Sequence, residues 1–420
     1  MPVEFPKTTV SKDTQELIVR QAILGRQNEI IGYELFVRDE DSYNGPLTDP
    51  FLSSARVMFK TFNIFNVEQL LGRKPAFINF SNNCFDEESL ALFPPKQIIP
   101  AFTIAEAPGH DFIEKMMNLR RRGFRLALDL FEGVPWQMAL LKLVDFVRID
   151  TNTNEPAAWE AWISMVRKAN LANTPALIAT CVETQAIARR CFEIGVDYSQ
   201  GYYFMHPEIV AGRMLTENQR TIFNLLNLLA EENPVSDIEE IFRKDPSLSY
   251  QLLRYLNSAG LTRGQEIDSI RRALILLGRQ PLQRWLTLLL FASQGGRKSP
   301  LLVIAATRAR LAEMLRERST LLESHPLALH RSFLVGMLSL LDAYLEKPMA
   351  GLLDELRLCP EMRAAIMEHQ GEDGILLQII EAVERGEIDV VRDRAASLGF
   401  TIADITRISL ESMAWAASLE

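Results

Sequence analysis

Glu16-Leu-Ile-Val-Arg-Gln-Ala-Ile-Leu24 and Glu29-Ile-Ile-Gly-Tyr-Glu-Leu-Phe-Val37 are two apolar runs rich in β-branched side chains, separated by the polar stretch Gly25-Arg-Gln-Asn28. Two such runs on either side of a short polar turn predict a β-hairpin. Single strand candidates then follow at Pro75–Phe80, Gln97–Ile104, Phe124–Leu128, Phe146–Ile149, Ala176–Ala179 and Tyr198–Gly201. Between them lie helical stretches at Phe51–Phe62, Asp111–Arg122, Glu155–Ala169 and Glu183–Ile194. Strand and helix in regular alternation imply parallel strands joined by crossover helices. Roughly eight strands in about two hundred residues predict a closed barrel, with functional groups at the strand C-terminal ends. An open doubly wound sheet competes with it, but no glycine fingerprint follows the first strand.

Beyond about residue 212 the rhythm is helical only. Asp245-Pro246 is a start signal, with Asp as N-cap and Pro in the first turn. Leu248, Leu252, Tyr255, Leu256 and Ala259 then form an apolar stripe. Asp268 is placed to cap the next helix, whose Ile270, Ala273, Leu274 and Leu277 repeat the pattern before Gly278. Gly295–Pro300 reads as a loop, and Leu301–Arg318 and His325–Leu345 as long helices. The boundary is expected near Pro207–Thr216, giving domains 1–212 and 213–420.

With 420 residues, the chain is expected to hold two to three domains at roughly 150 residues each. Forty-five basic against fifty-four acidic side chains leave a net charge of −9, which speaks against coating nucleic acid. The apolar stretch Trp285–Ala292 is too short to span a bilayer, so no membrane insertion is expected. Met1-Pro-Val-Glu-Phe-Pro lacks a basic, then apolar, leader pattern. Cys84, Cys181, Cys191 and Cys359 have no zinc-like spacing and read as reduced thiols of a cytoplasmic protein.

Six segments fall in order along the first half: Gly32-Tyr-Glu-Leu-Phe-Val-Arg38, Ile78-Asn-Phe-Ser81, Ala127-Leu-Asp-Leu-Phe-Glu-Gly133, Val147-Arg-Ile-Asp150, Ala179-Thr-Cys-Val-Glu-Thr184 and Asp197-Tyr-Ser-Gln-Gly-Tyr-Tyr-Phe204. Together they resemble the EAL domain family, cyclic di-GMP phosphodiesterases on a modified TIM-type (βα)8 barrel, over roughly residues 16–208. Hydrolysis there rests on two divalent cations held by converging carboxylate and amide oxygens. The resemblance places Glu34 at the signature Glu, Asn79 at the Asn, Asp129 at the first Asp and Gln200 at the Gln. It also implies departures. Thr103 stands at a ligand position, three residues before the retained Glu106. Leu130 replaces the second Asp, Arg148 the Lys, and Thr180 the Glu of a motif in which Glu183 remains. Leucine cannot ligate a metal, and arginine is poorly interchangeable with lysine at a packed site. Gln21 lies on the strand before Glu34, and Arg38 stands where active members set an Arg against a ligand phosphate. The loop after Asp129 reads Phe131-Glu-Gly-Val-Pro-Trp136, which departs from the family's dimer-coupled loop.

Lys244-Asp-Pro-Ser-Leu-Ser-Tyr-Gln-Leu-Leu-Arg-Tyr-Leu-Asn-Ser-Ala259 and Ile267–Gly278 resemble the HDOD family, helical domains related to HD phosphohydrolases without their metal site. The matching stretch Gly336–Asp342 offers Ser339-Leu340 where an HD enzyme has His-Asp. His325, His330 and His369 are therefore expected at the surface or at helix ends. The Arg-rich run Arg308-Ala-Arg310 to Arg316-Glu-Arg318, interspersed with Glu313 and Glu317, is expected as a solvated, salt-bridged helix face.

The resemblances imply an EAL–HDOD tandem signalling protein, an α/β barrel followed by a helical bundle. With no catalytic residue, metal or cofactor retained, Gln21, Glu34, Arg38, Asn79, Asp129, Arg148, Glu183 and Gln200 form a vestigial pocket. Thr103, Leu130 and Thr180 mark its lost positions. The expected work is that of a catalytically inactive scaffold acting through protein contacts in bacterial motility or biofilm control, compatible with a homodimer. The alternative is a receptor that binds cyclic di-GMP without hydrolysing it.

Overall fold

In the computed structural model, the structure describes residues 17–38, 71, 74–81, 90, 93–104, 106–152, 156–169, 171–205, 215–258, 269–292 and 300–419. Eight strands close a barrel in sequence order: β1 (Leu17–Gly25), β2 (Ile30–Arg38), β3 (Ala76–Ser81), β4 (Ile98–Thr103), β5 (Ala127–Asp129), β6 (Phe146–Asp150), β7 (Ala176–Thr180) and β8 (Tyr198–Gln200). β1 runs antiparallel to both β2 and β8, and all other neighbours are parallel. The expected hairpin and barrel are present, within a few residues at each strand. The helices α1 (His110–Arg121), α2 (Pro135–Leu140), α3 (Pro156–Lys168) and α4 (Gln185–Glu193) are the described crossovers. α4 starts later than expected because Thr184 is its N-cap, its side chain accepting from the Ile187 N–H.

Period-two alternation sends Ile23, Phe77, Ile99, Ala101, Ala127, Phe146 and Ile178 into one apolar layer. Phe77 and Phe146 meet edge to face there, with centroids 5.1 Å apart. A hairpin has no crossover helix to cover its outer surface. Ile18, Ala22 and Leu24 of β1 point outward by the same alternation, yet they are buried.

The rest of the chain is helical: α5 (Glu217–Ala230), α6 (Val235–Lys244), α7 (Pro246–Ser258), α8 (Ile270–Leu277), α9 (Arg279–Ala292), α10 (Pro300–Arg318), α11 (Pro326–Leu338), α12 (Leu341–Leu345), α13 (Met349–Glu355), α14 (Pro360–Glu368), α15 (Gly371–Arg385), α16 (Ile388–Ala396) and α17 (Ile402–Ala417). Asp245 does start α7, its Oδ1 accepting from the Leu248 N–H at 2.9 Å. The expected helix 51–62, the boundary residues 207–214, Ala259, Asp268, Cys84 and the loop 295–299 lie outside the described residues.

The chain divides into two compact units, and not at a single point near residue 212. Ile379–Glu420 groups with the barrel, and α17 packs on β1 at the place the hairpin leaves uncovered. The other unit spans Pro207–Arg318 and Leu322–Gln378. Its centre is the close pair α10 and α11, where a Cβ on Gly336 would stand 2.6 Å from the Arg308 carbonyl oxygen.

Three expectations need correction in this unit. His325–Leu345 is two helices, since α11 ends at Leu338 and α12 starts at Leu341. The Arg-rich α10 is no solvated face: Arg308, Glu313 and Arg316 are buried along with the apolar residues on every side. Residues such as Glu313 do pair locally, with Arg310 at 2.6 Å, but Arg316 finds its partners far along the chain. His330 is also buried, its Nε2 2.8 Å from Gln283 Oε1. Burial and the nearby Arg284 charge push its pKa down to about 4, so it is neutral. His325 and His369 do stand at helix ends.

Candidate functional site

One step above the apolar layer, toward the C-terminal ends of the parallel strands, the inward positions turn polar. Asn79 follows Phe77, Thr103 follows Ala101, Asp129 follows Ala127, Arg148 follows Phe146 and Thr180 follows Ile178, each two residues on. β1 runs the opposite way, so Gln21 precedes Ile23 and lies opposite Glu34. The alternation that builds the core therefore also assembles this polar ring.

Arg148 is the hub. Its Nη2 lies 2.7 Å from Glu34 Oε1, and its Nη1 donates to Asn79 Oδ1 at 2.7 Å. Nη1 is also 3.4 Å from Asp129 Oδ2, and Nη2 donates to Gln200 Oε1 at 3.2 Å. The acceptors interlock. Asn79 Nδ2 donates to Glu34 Oε1 at 2.9 Å, Gln200 Nε2 donates to Glu34 Oε2, and Gln200 Nε2 also reaches Gln21 Oε1 at 2.7 Å. Thr103 Oγ1 donates to Asp129 Oδ2 at 3.3 Å, and Thr180 Oγ1 donates to the Ile149 carbonyl at 3.3 Å. Glu34, Asp129, Arg148, Thr180 and Gln200 are all buried.

Two carboxylates thus face one guanidinium. Burial raises the Asp129 pKa, Arg148 opposes this, and the Glu34 charge adds to it, leaving the carboxyl above its ordinary range. Arg148 is itself desolvated, but Asp129 and Glu34 outweigh that cost and hold it protonated. Its Nε is buried with no hydrogen-bond partner.

Of the eight residues expected at the pocket, the structure brings Gln21, Glu34, Asn79, Asp129, Arg148 and Gln200 together. Glu183 is exposed on the turn after β7 and stands apart from the buried network, as does Glu106 beyond β4. Arg38 ends β2, but its side chain lies outside the described residues. Leu130, where a second carboxylate was expected lost, is 46% exposed and sits at φ +48°. Sequence reasoning missed Cys181, which follows Thr180 at φ +56°. Burial, then the charge and hydrogen bond of Asp150, push its thiol up to about 12, which makes it a poor nucleophile. Its adjacency to Thr180 was the available signal.

A pair of divalent cations does not fit this donor set. Each would require several oxygens free to converge on it. Here both Glu34 oxygens, the Asn79 carbonyl oxygen and Asp129 Oδ2 already accept from Arg148 or its neighbours. Among the described residues no group of three or more His, Cys, Asp or Glu side chains could hold a metal ion.

Comparison with known proteins agrees with the helical half. Residues 215–318 match the HDOD domain. A Bacillus subtilis (strain 168) protein, the uncharacterized YuxH, is 26% identical over 412 residues, covering 96% of this chain and 98% of that one. The cyclic di-GMP phosphodiesterase CdgJ of Vibrio cholerae (strain El Tor Inaba N16961) is 27% identical over 407 residues, covering 96% of this chain and 92% of that one. A crystal structure of a standalone EAL protein from Vibrio cholerae O395, in its c-di-GMP-bound form, is 21% identical with a TM-score of 0.37, covering 46% of this chain and 92% of that one. No described helix is long and apolar enough to cross a membrane.

Proposed function

Taking an EAL-type barrel joined to an HDOD domain as the premise, we propose that this chain is a signalling protein of the cyclic di-GMP kind that works by binding and not by hydrolysis. The observation that carries the reading is the Arg148 guanidinium, bonded at once to Glu34, Asn79 and Gln200 and paired with Asp129. The guanidinium and its neighbours engage the oxygens that a hydrolytic metal centre needs open. Among the described residues no His or low-pKa thiol at the mouth replaces that centre as a source of hydroxide: the thiol beside Thr180, Cys181, is raised to about 12. The helical unit then supplies the surface for a protein partner, and the barrel a rigid platform.

The relative CdgJ is named a cyclic di-GMP phosphodiesterase, so the decisive assay is turnover of cyclic di-GMP by the full chain with Mg²⁺ or Mn²⁺. The expected outcome is no linear product above a protein-free control. Turnover that disappears in Glu34→Gln would sink this reading. A receptor is the second reading, favoured by the Arg148 Nε–H that lacks a partner and by the cationic character of the guanidinium. Calorimetric titration with cyclic di-GMP separates the two: micromolar binding lost in Arg148→Met supports a receptor, and no heat supports the scaffold.

A further inference from the structure

The barrel closes where β1 meets β8, and this seam is short. β8 has three residues, and its register against β1 is Ile23↔Gln200, Leu24↔Ser199 and Gly25↔Tyr198. One corner of the mouth spans the seam, where Gln21 Oε1 accepts from Gln200 Nε2 at 2.7 Å. The turn after β8 is closely held. A Cβ on Gly201 would overlap the Val182 carbonyl, and the Val182 N–H donates to the Gln200 carbonyl at 3.0 Å. A shift of Tyr202 therefore reaches Gln200 with little slack between them.

The chain from Ile379 onward, which groups with the barrel, fastens both sides of this seam. On one side α17 packs on β1, where Ile18, Ala22 and Leu24 are buried. On the other, the Tyr202 hydroxyl donates to the carbonyl of Glu384, near the end of α15. Ser319 Oγ adds a third tie, donating to the Leu398 carbonyl at 2.9 Å. The fastening is weaker than an apolar core would make it. Ser409 of α17 is 0% exposed and its hydroxyl has no hydrogen-bond partner, which offsets part of what burial of the helix gains. Thr406 and Ser412 also take buried places on α17 that larger apolar side chains would fill at greater gain. An element held by less burial than the core opens before the core does.

We propose that residues 379–419 form a releasable strap. Docked, it holds the β1–β8 seam and the Gln21–Gln200 corner of the mouth; released, it lets both loosen while the rest of the ring stays closed. The strands β4 to β8 are joined by their own crossover helices α1 to α4, so the ring beyond the seam does not depend on the strap. The strap is a conformational control on the mouth that is built into the fold. It acts on whatever occupies the mouth and does not depend on the non-hydrolytic reading above.

The test is hydrogen–deuterium exchange of the full chain, read by mass spectrometry. Residues 17–25 and 198–205 report the seam, 402–417 report α17, and 98–103 and 146–150, in β4 and β6, are the reference. Ser409→Ala removes the unpartnered hydroxyl and should slow exchange about fivefold in α17 and at the seam alike. Tyr202→Phe removes one tie and should speed exchange about fivefold at both places, with the reference strands within about twofold of wild type. Because linkage is reciprocal, Gln21→Ala at the mouth should also speed exchange in α17. A change in α17 that leaves the seam unmoved overturns the proposal, because the helix then does not hold the seam. Equal changes in β4 and β6 overturn it as well, because α17 then opens only with the whole barrel. So does Ser409→Ala without slowing, or Gln21→Ala without effect on α17.

Discussion

Arg148 in the barrel and Arg316 in the helical unit are both buried guanidiniums, but they are solved differently. Arg316 is 0% exposed and every nitrogen has a partner: Nε donates to Ser332 Oγ, Nη1 to the Glu323 carbonyl and Glu372, and Nη2 to Asp373. Arg331 adds a second cation at 2.6 Å from Asp373, so two positive charges meet Glu372 and Asp373. At the barrel mouth one cation meets two acids, the Arg148 Nε is unsatisfied, and Asp129 is pushed toward its protonated form. A balanced, fully bonded network is what a purely structural role produces. The barrel mouth thus holds one acid more than its guanidinium answers.

That contrast can be broken most sharply at Arg316. Arg316→Met should cost about 3–5 kcal/mol, because it leaves Asp373 buried with only Arg331 to answer it. Urea denaturation of the full chain reads this, and a loss under 1 kcal/mol would show that the network is not the structural keystone its bonding implies.

Arg148→Met should cost less, about 2 kcal/mol, since Asp129 already leans toward its neutral form and a proton can take up part of the lost charge. A cost equal to that of Arg316→Met would erase the distinction between the two regions.

The smallest effect is expected at Asp129 and has a sign. A carboxyl whose pKa is raised on folding binds more protons in the native state, so its contribution to stability declines as pH rises from its ordinary value through its folded one. Asp129→Asn should remove that decline and raise stability at pH 7 by on the order of 1 kcal/mol, with no gain at pH 3. A variant less stable than wild type at pH 7 would mean that the Arg148 attraction outweighs desolvation.

Much of the barrel and its site was legible in the sequence. The strands are local apolar runs, and their alternation sends Phe77, Ala127 and Phe146 to the core and Asn79, Asp129 and Arg148 to the mouth by the same rule. Arg316 was not legible. Its spacing to neighbouring glutamates matches an exposed helix face, while its partners Glu372 and Asp373 lie 56 and 57 residues away. His330 failed for the same reason, because Gln283 and Arg284 come to it from another helix. The return of α17 to β1 was also invisible, since nothing in either segment names the other.

Which side chains face one another across the barrel mouth follows from period two, a property each strand carries by itself. That those side chains converge on a guanidinium with one acid to spare depends on closure of eight strands into a ring, which brings residues 34, 79, 129, 148 and 200 within hydrogen-bond reach. Sequence alone determined the elements and the faces. Only the tertiary structure decided which charges are buried together, because the desolvation and pairing that set their energies exist only once distant segments exclude water between them.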